Sequence, residues 1–293
     1  MSKILRKIIR NRRFTKTAKV RATSVSLAAW LKACRSSRLV VLIDFRKKME
    51  HVDTMKVLVS PVSPQEAILA ADGGADIIDV KNTSEGSLGA NFPWIIREVV
   101  SSLQERPITF SATLGDLTYK PGTAALAATG AAYAGARYIK AGMYGTKTLE
   151  EASHVMSAVA RACRDFDENI VVVTAGYADY RRFGGLDPQI LVEVAVNSKS
   201  DVVMVDTAIK DGATLFDNLE LADIRSFIES AHGHGLKVAL AGSIKQEHVP
   251  LLLELQADIV GVRGAVCQSN DRDSHIITEK VQTFVSAIKS NAA

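Results

Sequence analysis

Cysteine is scarce in this 293-residue sequence: Cys34, Cys163 and Cys267 are the only three, and no two stand in a CxxC spacing. That scarcity indicates neither a disulfide framework nor a zinc site. Long apolar runs are missing as well. The longest charge-free candidate, Pro121 to Ala136, is rich in Ala, Gly and Thr and falls short of the ~18 apolar residues that span a bilayer, so it reads as a packed helix. No GxGxxG and no GxxxxGKS or GxxxxGKT string occurs anywhere, which removes the glycine-rich phosphate loops of nucleotide-binding open sheets.

What is present is unevenly charged. Residues 1–54 hold 15 Lys and Arg against 3 Asp and Glu, a net +12, while the remainder holds 21 against 29, a net −8. The overall +4 therefore belongs to the arm, and a nucleic-acid function cannot be read from the whole-chain charge. A secretory or twin-arginine signal would need an uninterrupted apolar segment after Arg12 and Arg13, but Lys16, Lys19, Arg21 and Lys32 interrupt it. The arm's Arg-rich, acid-poor character also suits an organellar transit peptide or a surface that meets nucleic acid or membrane. The preferred reading is a disordered or artefactual extension over 1–54, with Met55 as the natural start and a cytoplasmic catalytic domain over 55–293.

From Lys56 onward, short Val- and Ile-rich runs alternate with helical stretches, the pattern of βα units around a parallel sheet. Strands are expected at 56–62, 75–81, 108–114, 137–143, 170–176, 201–209, 237–242 and 257–264. Helical patterns follow them, including 149–166 and 221–235, the latter closing on Gly233 and Gly235. Eight such units fit a single (β/α)8 TIM barrel of the usual ~250 residues, preceded by the basic extension. A doubly wound open sheet is the alternative.

Asp79 and Lys81 stand two residues apart at the end of the second strand, so they project to the same side. Barrel enzymes place reacting groups at the C-terminal ends of strands. Lys140 holds the equivalent late position in strand four, and strand six ends with Asp206 and Lys210 in matching parity. Even-numbered strands thus deliver three lysines and two aspartates to one mouth. Such a set is costly as mere packing, because unpaired buried charge costs several kcal/mol. A lysine crowded by cations and desolvated loses its proton more easily, and the neutral amine attacks carbonyls to form Schiff bases. The residues alone leave open which of the three lysines does so.

Strands seven and eight end in Gly242, Ser243, Arg263 and Gly264, where barrels bind phosphate through backbone N–H groups. Beside a cationic mouth, this implies a small phosphorylated substrate. His232 and His234 fall at a helix C-terminus on the opposite face, with no third ligand at a fitting spacing, so no metal is expected. Trp94 reads as a helix-start anchor. The Gly-rich loop "TSEGSLGANFP" reads as a lid, and Tyr177 and Asp179 either contact substrate or form a plain turn.

The strings "GGADIIDVKN", "EGSLGANFPW", "YKPGT", "YIKAGMYG", "AGYAD", "DTAIKDG", "LAGSIKQEH" and "DIVGVRGA" resemble the (5-formylfuran-3-yl)methyl phosphate synthase family, over Met55 to about Ile288. The resemblance implies a lyase that joins two glyceraldehyde 3-phosphate molecules, releasing phosphate and water, on the route to methanofuran-type one-carbon carriers. It implies Lys81 as the Schiff-base nucleophile and Lys140 as proton acceptor, with Asp79, Asp206 and Lys210 supporting proton transfer. The expected partner is a phosphorylated triose, with no cofactor, no nucleic acid and no membrane; a homo-oligomer stays open. The basic arm has no counterpart in the family. The rival readings are a Schiff-base aldolase or decarboxylase on another sugar phosphate, and a regulatory protein on an inactive barrel.

Overall fold

The computed structural model describes residues 54–290. The basic arm, with Cys34 and the readings attached to it, lies outside the described residues. The eight strands are β1 (Lys56–Val59), β2 (Ile77–Val80), β3 (Thr109–Thr118), β4 (Tyr138–Gly145), β5 (Val171–Tyr177), β6 (Val202–Asp206), β7 (Lys237–Leu240) and β8 (Ile259–Val262). All neighbours pair in parallel, and β8 returns to β1 to close the barrel. The crossovers are α1 (Pro64–Asp72), α2 (Pro93–Ser102), α3 (Pro121–Tyr133), α4 (Leu149–Phe166), α5 (Pro188–Ser198), the single turn α6 (Leu215–Asn218), α7 (Leu221–Gly233), α8 (Val249–Leu255) and α9 (Thr278–Lys289).

Local chemistry sets these boundaries. Proline opens α1, α2, α3 and α5, a position where its missing N–H has no helical partner to lose. Ser63, Thr148 and Asp187 cap α1, α4 and α5 with side-chain oxygens that accept backbone N–H groups.

Alternation along the strands divides the core in two. Val57, Val59, Ile78, Val80, Val203 and Val205 face the helices, whereas Leu58, Ile77, Val173, Ala175, Met204, Ala239 and Ile259 fill the barrel interior. One inward step further along, the apolar plug gives way to charge: Ile77 is followed by Asp79, Tyr138 by Lys140, and Met204 by Asp206. The polar layer therefore sits on a packed floor at the C-terminal end of the sheet, which is what limits its access to water.

Several strand ends differ from expectation, β1, β7 and β8 stopping two or three residues early, and the departures at β3 and β6 bear on the site. β3 runs on to Thr118, with register shifts on either side of Asp116. β6 stops at Asp206, because Asp206 accepts its own Thr207 N–H and Asp179 accepts those of Ala208 and Ile209, at 2.7–2.8 Å. Carboxylates take the donors that a longer ladder would use, so Lys210 stands on a loop rather than on the strand.

Candidate active site

Asp79, on β2, is completely buried. Its Oδ2 accepts hydrogen bonds from Lys140 Nζ at 2.6 Å and Ser60 Oγ at 3.1 Å. Among the described residues, Oδ1 has no hydrogen-bond partner. Asp206 accepts from Lys210 Nζ at 2.6 Å, and Lys210 also donates to Thr207 Oγ1 at 3.0 Å. Two of the three lysines are therefore in contact ion pairs.

Lys81 is the third, and it is different. Its Nζ donates to the Ser87 carbonyl at 3.2 Å and touches no carboxylate, although the residue is only 6% exposed. Burial pushes its ammonium down to about 8; Lys140 and Lys210 add to the shift, while Asp206 and Asp79 oppose it. Burial would raise Asp206, but the Lys210 and Lys81 charges outweigh that penalty and hold the carboxyl at about 2. The site thus keeps one carboxylate firmly ionised beside an amine that releases its proton at about pH 8, well below an ordinary lysine.

Lys81, Lys140, Asp206 and Lys210 open onto one cavity of about 580 Å³, which also reaches Gly242, Ser243, Arg263 and Gly264. The five charged residues expected from the even strands and the four at the ends of β7 and β8 thus lie in or against one pocket. Arg263 has a particular place there: its guanidinium is bound to Glu66 at 2.8 Å and to the carbonyls of Ser60, Arg272 and Ser274. With every face engaged, that side chain braces the loops around the pocket.

The loop from Asn82 to Asn91 closes the mouth beside Lys81. Leu88 and Ser87 are buried. Ser87 Oγ donates to the Thr207 carbonyl at 2.7 Å, and Thr113 Oγ1 donates to the Leu88 carbonyl. Asp116 accepts the Tyr177 hydroxyl and the Leu88 backbone N–H. Burial raises the Asp116 carboxyl, and these hydrogen bonds offset it only in part. Burial and the adjacent Asp116 push the Tyr177 phenol well above its ordinary range. A Cβ on Gly86 would collide with the Asp116 carboxylate, and one on Gly142 with the Tyr177 hydroxyl, so both glycines are needed for this close approach. Tyr177 thus fastens the loop, while Asp179 holds the backbone that leads to Lys210.

Trp94 differs from expectation: it is 59% exposed and stacked on Phe92 at 4.7 Å, so the pair caps α2 on the outside. His232 Nε2 donates to the Asp258 carboxylate at 2.8 Å. No group of three or more His, Cys, Asp or Glu side chains among the described residues is arranged to hold a metal ion. No helix among them is long and apolar enough to cross a membrane.

Ser60, Asp116 and Glu66 were not singled out from the sequence. Ser60 shares the inward parity of Leu58, which is signal enough to find it. Asp116 lies beyond the expected end of β3, behind a register shift that no alternation pattern reveals.

The family model for 4-HFC-P synthase matches residues 57–285. The (5-formylfuran-3-yl)methyl phosphate synthase of Archaeoglobus fulgidus is 55% identical over 234 residues, covering 80% of this chain and 99% of that protein. The chain belongs to this synthase family. A second synthase, from Methanopyrus kandleri, is 54% identical over 235 residues, covering 78% and 98%. Among solved structures, KGPDC from Streptococcus mutans superposes with a TM-score of 0.57 at 12% identity, covering 81% of this chain and 98% of that one. Phosphoribosyl anthranilate isomerase from Thermus thermophilus gives 0.55 at 16%, covering 81% and 100%. At such identities the structural likeness is one of fold. The synthase match contains all five charged residues of the polar layer and the loop over Lys81, and it leaves the basic arm outside.

Tyr177→Phe tests what the loop does for this enzyme. Removing the hydroxyl takes one hydrogen bond from the half-buried Asp116, at a cost of about 1 kcal/mol, and loosens the cover over Lys81. We expect faster hydrogen exchange over residues 82–91 and a Lys81 ionisation moved up from about 8, because water then solvates the ammonium. Both are measurable, the second from the acid limb of the pH–rate profile.

Proposed function

We propose that this enzyme condenses two molecules of glyceraldehyde 3-phosphate into (5-formylfuran-3-yl)methyl phosphate through a Schiff base on Lys81, as a step toward methanofuran-type one-carbon carriers. One phosphate and two water molecules leave in the balance. The observation that carries this reading is the inequality of the three lysines. Lys140 and Lys210 are each within 2.6 Å of a carboxylate, whereas Lys81 is buried without one and sits at about 8.

In this reading the Lys81 amine attacks a triose carbonyl, and loss of water gives a protonated imine. The imine acidifies the adjacent C–H bond, and proton removal gives an enamine, the carbon nucleophile for the second aldehyde. Lys140 becomes a base by passing its proton to Asp79 across their 2.6 Å contact, then takes the substrate proton. Lys210, held by Asp206, supplies positive charge and a proton where phosphate or hydroxide departs. The closed loop keeps water from hydrolysing the imine.

The reading is tested with glyceraldehyde 3-phosphate as the sole substrate, following inorganic phosphate and the ultraviolet absorbance of the conjugated furan aldehyde. Phosphate and chromophore rising in equal amounts are expected. Carbon–carbon bond formation without phosphate release would instead favour an aldolase.

A further inference from the structure

The bracing of Arg263 removes its own guanidinium as a free cation at the ends of β7 and β8. Its side chain is 7% exposed and tied to Glu66, so its charge is neutralised where it lies. Yet the pocket between β7 and β8 has the backbone of an anion site. Gly242 and Ser243 follow one another with φ of 109° and 49°. Among the described residues, the N–H groups of Ser243, Gly264 and Ala265 donate to no protein acceptor. Successive free amides of this kind form anion-binding concavities.

Two other cations line the same cavity, Arg272 and Lys245. The Arg272 side chain is 23% exposed, and its nearest carboxylate, on Asp273, is 4.0 Å away. It stands directly over the β8 turn, because a Cβ built on Gly264 would lie 3.8 Å from Arg272 Cβ. What holds it there is Arg263, whose Nε donates to the Arg272 carbonyl at 2.6 Å and whose Nη2 donates to the Ser274 carbonyl at 3.2 Å. Lys280 secures the other side of the loop through the Cys267 carbonyl and Asn270. Lys245 approaches from the end of β7, and its nearest carboxylate, Glu247, is exposed and 3.7 Å away.

We propose that Arg272, seconded by Lys245, is the side-chain clamp for the substrate's phosphate dianion at the ends of β7 and β8, with Arg263 as a positioning residue beneath it. The assignment rests on the triose phosphate reading for its natural ligand, but inorganic phosphate probes the site independently of turnover. A planar guanidinium offers a dianion paired charge-assisted hydrogen bonds that an ammonium cannot match.

Titration of the full-length enzyme with inorganic phosphate by calorimetry tests the clamp. Arg272→Gln is expected to raise the dissociation constant roughly 10- to 100-fold, the worth of one or two hydrogen bonds to a charged group. Lys245→Gln should have a smaller effect, and Arg272→Lys should fall between wild type and Arg272→Gln. In borohydride trapping, the wild-type preference for glyceraldehyde 3-phosphate over unphosphorylated glyceraldehyde should fall by the same factor in Arg272→Gln. A role in folding alone would leave that ratio unchanged. Unaltered phosphate affinity or an unaltered ratio in Arg272→Gln overturns the proposal. If Arg272→Gln weakens phosphate binding while the wild type turns over no triose phosphate, the clamp stands and the synthase reading falls.

Discussion

Lys81→Met is expected to lower turnover by roughly 10⁴-fold or more, the scale on which loss of a covalent nucleophile is felt, and at the same time to stabilise the fold. The second effect follows from the depressed ionisation. Lys81 titrates at about 8 in the folded protein against an ordinary 10.5, so below about pH 8 both folded and unfolded chains carry the proton and the folded one is penalised. Between about 8 and 10.5 the folded chain has lost its proton while the unfolded one still binds it, and the penalty fades as pH rises. The shift corresponds to on the order of 3 kcal/mol, reduced by loss of the hydrogen bond to Ser87. Urea denaturation at pH 7 and pH 10 should therefore show Lys81→Met more stable than wild type at pH 7, with the difference shrinking at pH 10. In the proposed mechanism the same proton sets the wild-type rate. Activity should rise about tenfold per pH unit on the acid side and level off above about 8, since only the neutral amine attacks. A Lys81→Met variant less stable than wild type at pH 7 would show that the ammonium is satisfied where it sits.

Lys140→Met has the opposite effect on stability. It leaves Asp79 buried with one hydrogen bond, from Ser60, and no counter-charge. Breaking a buried pair from one side costs about 3–5 kcal/mol. The paired change Asp79→Asn with Lys140→Met removes both charges and should recover most of that loss, with activity still absent. A single Lys140→Met variant that loses under about 1 kcal/mol, the range of an exposed pair, would contradict the buried-pair account. The two lysines thus separate cleanly: Lys81 is buried without a carboxylate partner, and Lys140 is needed by its neighbour's charge.

The alternation of apolar runs made the barrel legible in the sequence, and strand parity alone brought Asp79, Lys81, Lys140 and Asp206 together. Lys210 reaches the same cavity by a different route, on a loop that Asp179 holds by two backbone donors, which no periodicity encodes. Arg263 was legible as a residue at the end of β8 facing the cavity but not as a brace, because its partner Glu66 lies 197 positions away. Asp116 was hidden for a related reason. The register shifts around it break the alternation by which the other interior residues were found. Patterns of period two carry information along a strand, whereas pairings between distant loops depend on closure of the whole barrel.

We infer that Lys81 alone of the three lysines carries the covalent link. Incubating the enzyme with glyceraldehyde 3-phosphate, reducing with borohydride and mapping the adduct by peptide mass spectrometry tests it directly. A single modified peptide bearing the triose on Lys81 is expected, and none in Lys81→Arg. An adduct on Lys140 or Lys210 with Lys81 unmodified would contradict it.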